Sequence, residues 1–361
     1  MFTNKAKEQA DACRFCWMCR HICPVALVTG LEGNTPRGKG LLVSMDSRGI
    51  PITEDTAEVM FQCALCGACT NDCATAYDPR IFTREARTEA VVNGIVPPHV
   101  QKVIDRAMDG TFYPKDKTLS RTVEALPEKA DVLLFFGESG WAEGKSALAL
   151  MDILKKAGVS FTVLKNEPSC GAVLGDLIGY VGEVKTAAET CFAAMAASGA
   201  KEAVFLDPFC LSFIRHQCAE WDILPDMELL TATAYCAELI RSGKLVPETI
   251  GLDATFHDPC HLSRDLDETG AAREILAALG IRLKEMFLHG RMSKCCGGPV
   301  MRETNPQITR KMAAAIWYDA AFVGAETMIT ACPGCSRILG ENTPEGCRQE
   351  DLFVLLAAAC R

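Results

Sequence analysis

The chain has 361 residues, an apolar share of 49% and a formal charge of −9. That length holds more than one compact domain, and the acidic balance argues against a nucleic-acid-binding face, which needs basic side chains. The longest apolar run, residues 352–360, falls short of the roughly 20 residues of a spanning helix, and residues 1–13 are polar with no apolar signal core. The sequence therefore reads as cytoplasmic, at most peripheral to the cytoplasmic side of a membrane through a partner.

Twenty cysteines set the class. Disulfide scaffolds of such density are short and secreted, whereas these cysteines recur at twos and threes, which is ligand spacing. Residues 1–110 hold the two densest groups. They are Cys13-x2-Cys16-x2-Cys19-x3-Cys23-Pro24 and Cys63-x2-Cys66-x2-Cys69-x3-Cys73, separated by 39 residues. This is the run of bacterial-type ferredoxin sites, in which three thiolates wrap one cubane and the fourth reaches the neighbouring cluster. It predicts one [4Fe–4S] cluster on Cys13, Cys16, Cys19 and Cys73, and a second on Cys63, Cys66, Cys69 and Cys23. Zinc sites use two close pairs rather than a triplet plus one. Ala74 stands where a second proline often follows the last ligand, a change that touches the chain exit and not the ligands. Residues 54–61 and 83–92 read as helices entering and leaving the second group.

Residues 111–130 are polar, proline-bearing and aperiodic, and read as a linker. From residue 131 onward strands and helices alternate, the pattern of α/β architecture. Strands are expected at 132–136, 160–164 and 203–206, and helices at 145–157 and 186–197. The same series then recurs, with strands at 255–257, 282–287 and 328–331 and helices at 271–279 and 308–323. Glu138 precedes Gly158 by twenty as Cys260 precedes Gly280, and Gly199 precedes Asp207 by eight as Gly324 precedes Cys332. Two copies of one unit, at 131–250 and 251–361, is the economical reading.

The second copy carries Cys260-x34-Cys295-Cys296-Gly297-Gly298-x33-Cys332-Pro333-Gly334-Cys335. Each cysteine falls at or just after a strand end, so all five can converge at one edge of a parallel sheet, where sites in open α/β sheets gather. The two glycines allow close backbone approach or positive φ. In the first copy Glu138 replaces the leading cysteine, Ser169-Cys170-Gly171 stands for Cys-Cys-Gly, and Asp207-Pro208-Phe209-Cys210 for Cys-Pro-Gly-Cys. Only Cys170 and Cys210 survive of five, so this copy reads as scaffold, docking surface or wall of the intact site. Cys170, Cys191, Cys210, Cys218, Cys236, Cys347 and Cys360 receive no function.

The wide separation of the first two motifs and the segment Thr35-Pro36-Arg37-Gly38-Lys39 between them resemble the α-helical ferredoxin domain of fumarate and heterodisulfide reductases. The C-terminal pattern resembles the cysteine-rich CCG domain of heterodisulfide reductase (its D-type subunit, or its C-type and B-type subunits fused). It is similar too to the glycolate oxidase iron–sulfur subunit and the C-type subunit of anaerobic glycerol-3-phosphate dehydrogenase. The resemblance spans nearly the whole chain. It implies an α-helical ferredoxin domain followed by two tandem α/β CCG-type repeats, and a noncubane [4Fe–4S] centre on Cys260, Cys295, Cys296, Cys332 and Cys335. A cubane on four of the five, or a zinc ion, is the plainer alternative. The segment Phe256-His257-Asp258-Pro259-Cys260-His261-Leu262 also matches. His257, His261 and Arg264 would donate hydrogen bonds to sulfides or substrate, or else be polar residues of a strand-end turn.

No G-x-G-x-x-G follows a strand and no P-loop occurs, so flavin or nicotinamide is expected on another polypeptide. The resemblance implies the electron-transfer subunit of an oxidoreductase complex in anaerobic metabolism, in a hetero-oligomer with a flavoprotein that is an FAD-linked dehydrogenase or electron-bifurcating. An alternative makes this chain the catalytic subunit, reducing a disulfide at the CCG centre. The degenerate first copy weighs against it. A third reading, a zinc-stabilised assembly protein, predicts a colourless C-terminal half.

Overall fold

The computed structural model describes residues 2–46, 48–75 and 77–360. The N-terminal part is helical. Its long helices start on side-chain caps that satisfy free amides of the first turn: Thr3 accepts from the Ala6 amide, Thr53 from Thr56, and Asp78 from Arg80 beside Pro79 at the first helical position. Helix Pro79–Val92 is the spine. It packs on Asn4–Asp11, Pro36–Asp46 and Glu54–Phe61, and on Ala172–Ile178 beyond. Phe82, Ala86 and Ala90 fill its buried face against Met60, Phe61 and Tyr77. The Tyr77 hydroxyl donates to the Pro36 carbonyl at 2.8 Å, fixing the connecting segment between the two cysteine motifs.

The rest of the chain forms two four-stranded parallel sheets. The first contains β1 (Val132–Phe135), β2 (Phe161–Val163), β3 (Glu202–Phe205) and β4 (Glu228–Thr231) in the order β2-β1-β3-β4. The second contains β5 (Asp253–His257), β6 (Arg282–Leu283), β7 (Thr327–Thr330) and β8 (Arg348–Asp351) in the order β6-β5-β7-β8. Val132 pairs with both Phe161 and Glu202, and Thr255 pairs with Met328. Central β1 is buried at every residue, as expected for a strand covered on both faces. Helices Gly144–Lys156 and Leu352–Ala359 pack across the two units, as do Ala232–Arg241 and Ala271–Ala278. Leu134, Leu150, Phe256, Ile275 and Leu352 share one core.

Several elements depart from the sequence reading. β6 has two residues rather than the span 282–287, because Lys284 turns to the Gly324 carbonyl and Phe287 stands 88% exposed outside the sheet. Residues 111–130 contain helix Lys117–Val123, capped by Asp116 and burying Leu119 and Val123 one turn apart against Gly144–Lys156. Helix Pro98–Met108 and the outer strands β4 and β8 are additional elements. β8 shows no apolar run, since polar Arg348-Gln349-Glu350 makes up most of that edge strand. Among the described residues no helix is long and apolar enough to cross a membrane.

The first unit is pinned by Glu167, which accepts the Phe136 and Gly137 amides at 2.9 and 2.7 Å. Burial pushes its carboxyl up to about 8 against those amides. The folded state thus holds a proton that the unfolded chain releases near 4.5, so this group's contribution falls as pH rises from about 4.5 through about 8. Since Glu167 is half-buried, the expected loss is about 1–2 kcal/mol. Urea unfolding at pH 5 and pH 8 checks it: Glu167→Gln should remove this part of the slope, and an unchanged slope refutes the assignment.

Candidate metal centres

The two N-terminal motifs adopt the same local conformation. Phe15 and Trp17 in the first, and Leu65 and Gly67 in the second, all have positive φ, at 54°, 68°, 49° and 70°. Two left-handed residues coil each Cys-x2-Cys-x2-Cys into a tight loop. In each loop a backbone N–H turns back on the first thiol, Phe15 on Cys13 and Leu65 on Cys63, both at 3.4 Å. The third cysteine then enters a short helix, Met18–Ile22 or Ala68–Asn71.

The fourth cysteine of each motif lies near the triplet of the other. Cys19 lies within electrostatic reach of Cys13, Cys16 and Cys73, whereas Cys69 faces Cys66, Cys23 and Cys63. The two groups differ in setting. Cys16 is exposed and Cys66 is buried. Around the second group a cavity is bounded by Cys23, Cys63, Cys66 and Cys69 with Pro24, Lys39 and Pro79. Burial pushes the Cys23 thiol up to about 12 and raises Cys69 as well. Two buried cations answer this. Lys39, 2% exposed, sits beside Cys63, Cys23 and Cys69 with its ammonium at 3.5 Å from the Gly33 carbonyl. Arg87 donates to the carbonyls of Met60, Cys63 and Asp176. The sequence offered no sign of the Arg87 role, because its partners lie on three separate segments.

The five C-terminal cysteines are all buried at the carboxyl edge of β5 and β7. The Cys260 and Cys295 sulfurs are 3.7 Å apart, and those of Cys296 and Cys335 are 3.4 Å apart. Cys332 hydrogen-bonds Cys335. The ligand atoms of His257, Cys296 and Cys335 lie within 4.8 Å of one another. Gly297 and Gly298 have φ of 110° and 67°, and the Gly297 amide donates to Cys295 Sγ at 3.3 Å. Within each sulfur pair the hydrogen bond splits the proton affinities, lowering Cys260 and Cys296 and raising Cys295 and Cys335.

The three neighbouring polar residues take different places. His257 Nε2 is buried with no protein partner and faces Cys296. His261 pairs its Nδ1 with Asp265 at 2.7 Å and stacks on Phe209, ring centroids 4.7 Å apart, while its side chain also reaches Cys260. Arg264 donates to the Cys66, Ser293 and Arg291 carbonyls at 2.8, 2.7 and 3.1 Å, leaving Nη2 buried and unpartnered near Cys66, Cys260 and Cys295. Cys66, Cys260 and Cys295 pack in one buried cluster. The second N-terminal group and the C-terminal group therefore share one wall.

The first unit keeps the frame with other chemistry. Ser169 Oγ donates to Glu138 at 2.5 Å, where the second unit has Cys295 beside Cys260. The Gly171 amide donates to Ser169 Oγ at 3.2 Å with φ 91°, matching Gly297 on Cys295. Cys170 and Cys210 are buried and line one cavity of this unit. Phe209 is buried where the second unit has Gly334, at which an added Cβ would lie 3.5 Å from Ser139 Oγ.

Thiols in convergent groups, backbone N–H donors aimed at sulfur and buried cations with free N–H bonds fit iron–sulfur centres. Gly297 is a test of the frame. A Cβ there would come within 3.0 Å of Thr309, whereas at Gly324, also at positive φ, it would meet only the Lys284 ammonium at 3.9 Å. Gly297→Ala should cost about 1–2 kcal/mol more than Gly324→Ala in chemical unfolding. Equal costs would show that the close approach is not needed.

Residues 254–340 match the cysteine-rich CCG domain, and residues 9–76 match the 4Fe-4S dicluster domain. The chain is 26% identical to the D-type subunit of dihydromethanophenazine:CoB–CoM heterodisulfide reductase of Methanosarcina barkeri, over 92% of this chain and 89% of that one. It is 22% identical to an EtfAB:quinone oxidoreductase of Syntrophomonas wolfei, over 92% of this chain and 55% of that one. A crystal structure of a hypothetical protein from Helicobacter pylori shares the fold, with a TM-score of 0.57 at 12% identity over 99% of this chain and 73% of that one. The chain thus carries a match to a cysteine-rich CCG domain and one to a 4Fe-4S dicluster domain, and over most of its length it is similar to a subunit of an iron–sulfur oxidoreductase.

Proposed function

We propose that the chain relays electrons between a flavoprotein partner and an acceptor, using two [4Fe–4S] cubanes and a noncubane centre on the CCG cysteines. In this reading Cys13, Cys16, Cys19 and Cys73 hold the outer cubane, and Cys63, Cys66, Cys69 and Cys23 the inner one. Cys260, Cys295, Cys296, Cys332 and Cys335 hold the third centre. The domains are 1–110, a connecting segment 111–130, and two tandem CCG-type repeats at 131–250 and 251–361, of which the first lacks a full ligand set. The protein works in a hetero-oligomer on the cytoplasmic side; the hetero-oligomer is supported by a relative that is itself named as a reductase subunit.

The observation that carries this reading is the shared wall, where Cys66, Cys260 and Cys295 pack in one buried cluster and Arg264 donates to the Cys66 and Ser293 carbonyls at 2.8 and 2.7 Å. The centres would supply one-electron carriers. The protein's part is to hold them in contact, exclude water and supply positive charge. Lys39, Arg87 and Arg264 do so from anchors on backbone carbonyls. The catalytic alternative is disfavoured by Glu138, Ser169 and Asp207, which leave the first unit two thiols short of a four-iron site.

Metal analysis tests the reading. The anaerobically purified chain should hold roughly 12 iron and 12 sulfide per molecule. About 8 iron with one zinc would exclude the noncubane centre, and dye-linked disulfide reduction by the chain alone would overturn the relay. Arg264→Met removes a cation that favours the reduced state. Midpoint potentials of the inner centres should fall by tens of millivolts, ~59 mV for each ~1.4 kcal/mol in a one-electron couple. Unchanged potentials in an EPR-monitored titration would remove Arg264 from the account.

A further inference from the structure

The outer cysteine loop differs from its inner counterpart in a way that cluster binding does not require. At the same left-handed position the inner loop has Gly67 and the outer has Trp17. Left-handed backbone is free for glycine and unfavourable for a bulky side chain. One step earlier, Leu65 is 1% exposed whereas Phe15 is 52% exposed. Trp17 and Met18 are 43% and 54% exposed, so these side chains add nothing to a core. They are nonetheless held in place. The Arg37 guanidinium lies 3.9 Å from the Trp17 ring centre and 5.4 Å from that of Phe15, and Arg20 covers Trp17 at 5.6 Å. Between them sits Cys16, the one exposed cysteine of twenty.

We propose that this tip, Arg14, Phe15, Cys16, Trp17, Met18 and Arg20, is the docking surface for a redox protein whose own cofactor opens on an apolar patch with an acidic rim. The inference rests on the relay reading and adds where electrons cross and to what kind of partner. Charge identifies the partner. Residues 13–31 contain Arg14, Arg20 and His21 and no Asp or Glu, in a chain of net charge −9. Glu32, 3.7 Å from Arg20 and 3.6 Å from Arg37, offsets only part of that positive charge. An acidic partner is repelled by most of the surface and drawn to this end, the usual basis of electrostatic steering. Preordered aromatic rings then supply desolvated contact with little ordering cost. The exposed Cys16 edge places the outer centre at the contact.

The test uses the cluster-loaded chain and flavodoxin, an acidic flavoprotein, as probe. Each encounter moves one electron from the flavin hydroquinone, leaving the semiquinone, and takes one four-iron centre from 2+ to 1+. The stopped-flow rate should fall at least tenfold as salt rises from about 0.05 to about 0.5 M. Arg14→Glu with Arg20→Glu should slow it at least tenfold at low salt. Trp17→Gly keeps the loop conformation that Gly67 shows, and should slow transfer while leaving iron content unchanged. Lys201→Glu, on a surface lysine far along the chain in β3's approach, should leave the rate as it is. Titration calorimetry with oxidised flavodoxin gives a readout without turnover, and the affinity should follow the same order. Rates and affinities indifferent to Arg14, Arg20 and Trp17 would overturn the docking surface. So would a wild-type dimer in sedimentation that Trp17→Gly makes monomeric, since a second copy would then cover the tip. Failure of dithionite to reduce any centre would instead refute the relay itself.

Discussion

Sulfur ligands that carry negative charge cannot be buried without positive charge near them, and that constraint organises this structure. Lys39, Arg87 and Arg264 are 2%, 1% and 6% exposed, and each lies beside the inner cysteines. Their hydrogen bonds go to backbone carbonyls: Gly33 for Lys39, Met60 and Cys63 for Arg87, Cys66 and Ser293 for Arg264. A carboxylate partner would cancel the cation and leave the sulfurs unanswered. A carbonyl orients the cation without neutralising it. The one acid close to Arg87, Asp176, gives its carboxylate to Arg84 and only its carbonyl to Arg87.

The two α/β units show how far a frame is separable from its chemistry. Both sheets have the same strand order, and both place their key residues after the first and third strands of the unit. The glycine turn and its amide hydrogen bond to the side chain two residues earlier recur in both. What differs is the atom offered: oxygen from Glu138, Ser169 and Asp207, sulfur from Cys260, Cys295 and Cys332. Soft iron–sulfur centres prefer the second set. The first unit packs on the other parts of the chain, with Phe209 against His261 and the helix Ala172–Ile178 against Pro79–Val92.

Local patterns in the sequence carried much of this. Cysteine spacing anticipated the two loops, and the alternation of strands and helices from residue 131 anticipated α/β architecture, found as two small parallel sheets. What stayed hidden depends on residues distant in sequence. The packing of Cys66 with Cys295 and the Arg264 bond to the Cys66 carbonyl join segments some 200 residues apart. Edge strands such as Arg348–Asp351 are polar because one side faces solvent, so they lack the apolar run that marks a central strand. The sequence left Arg264 either to face sulfide or substrate or to be a polar residue of a strand-end turn; in the structure it bonds three carbonyls and keeps Nη2 buried without a protein partner.

The seam at Cys66 and Cys295 also couples segments far apart in the chain. The outer loop presents Cys16 at the surface. The inner group is enclosed by distant segments, with Cys66 and Cys295 in one buried cluster and Asn305 donating to the Phe61 carbonyl at 3.1 Å. A centre bound on the inner cysteines would hold those segments together, so that its loading and the closing of the seam would be linked, as metal binding and folding are wherever the fold itself builds the site.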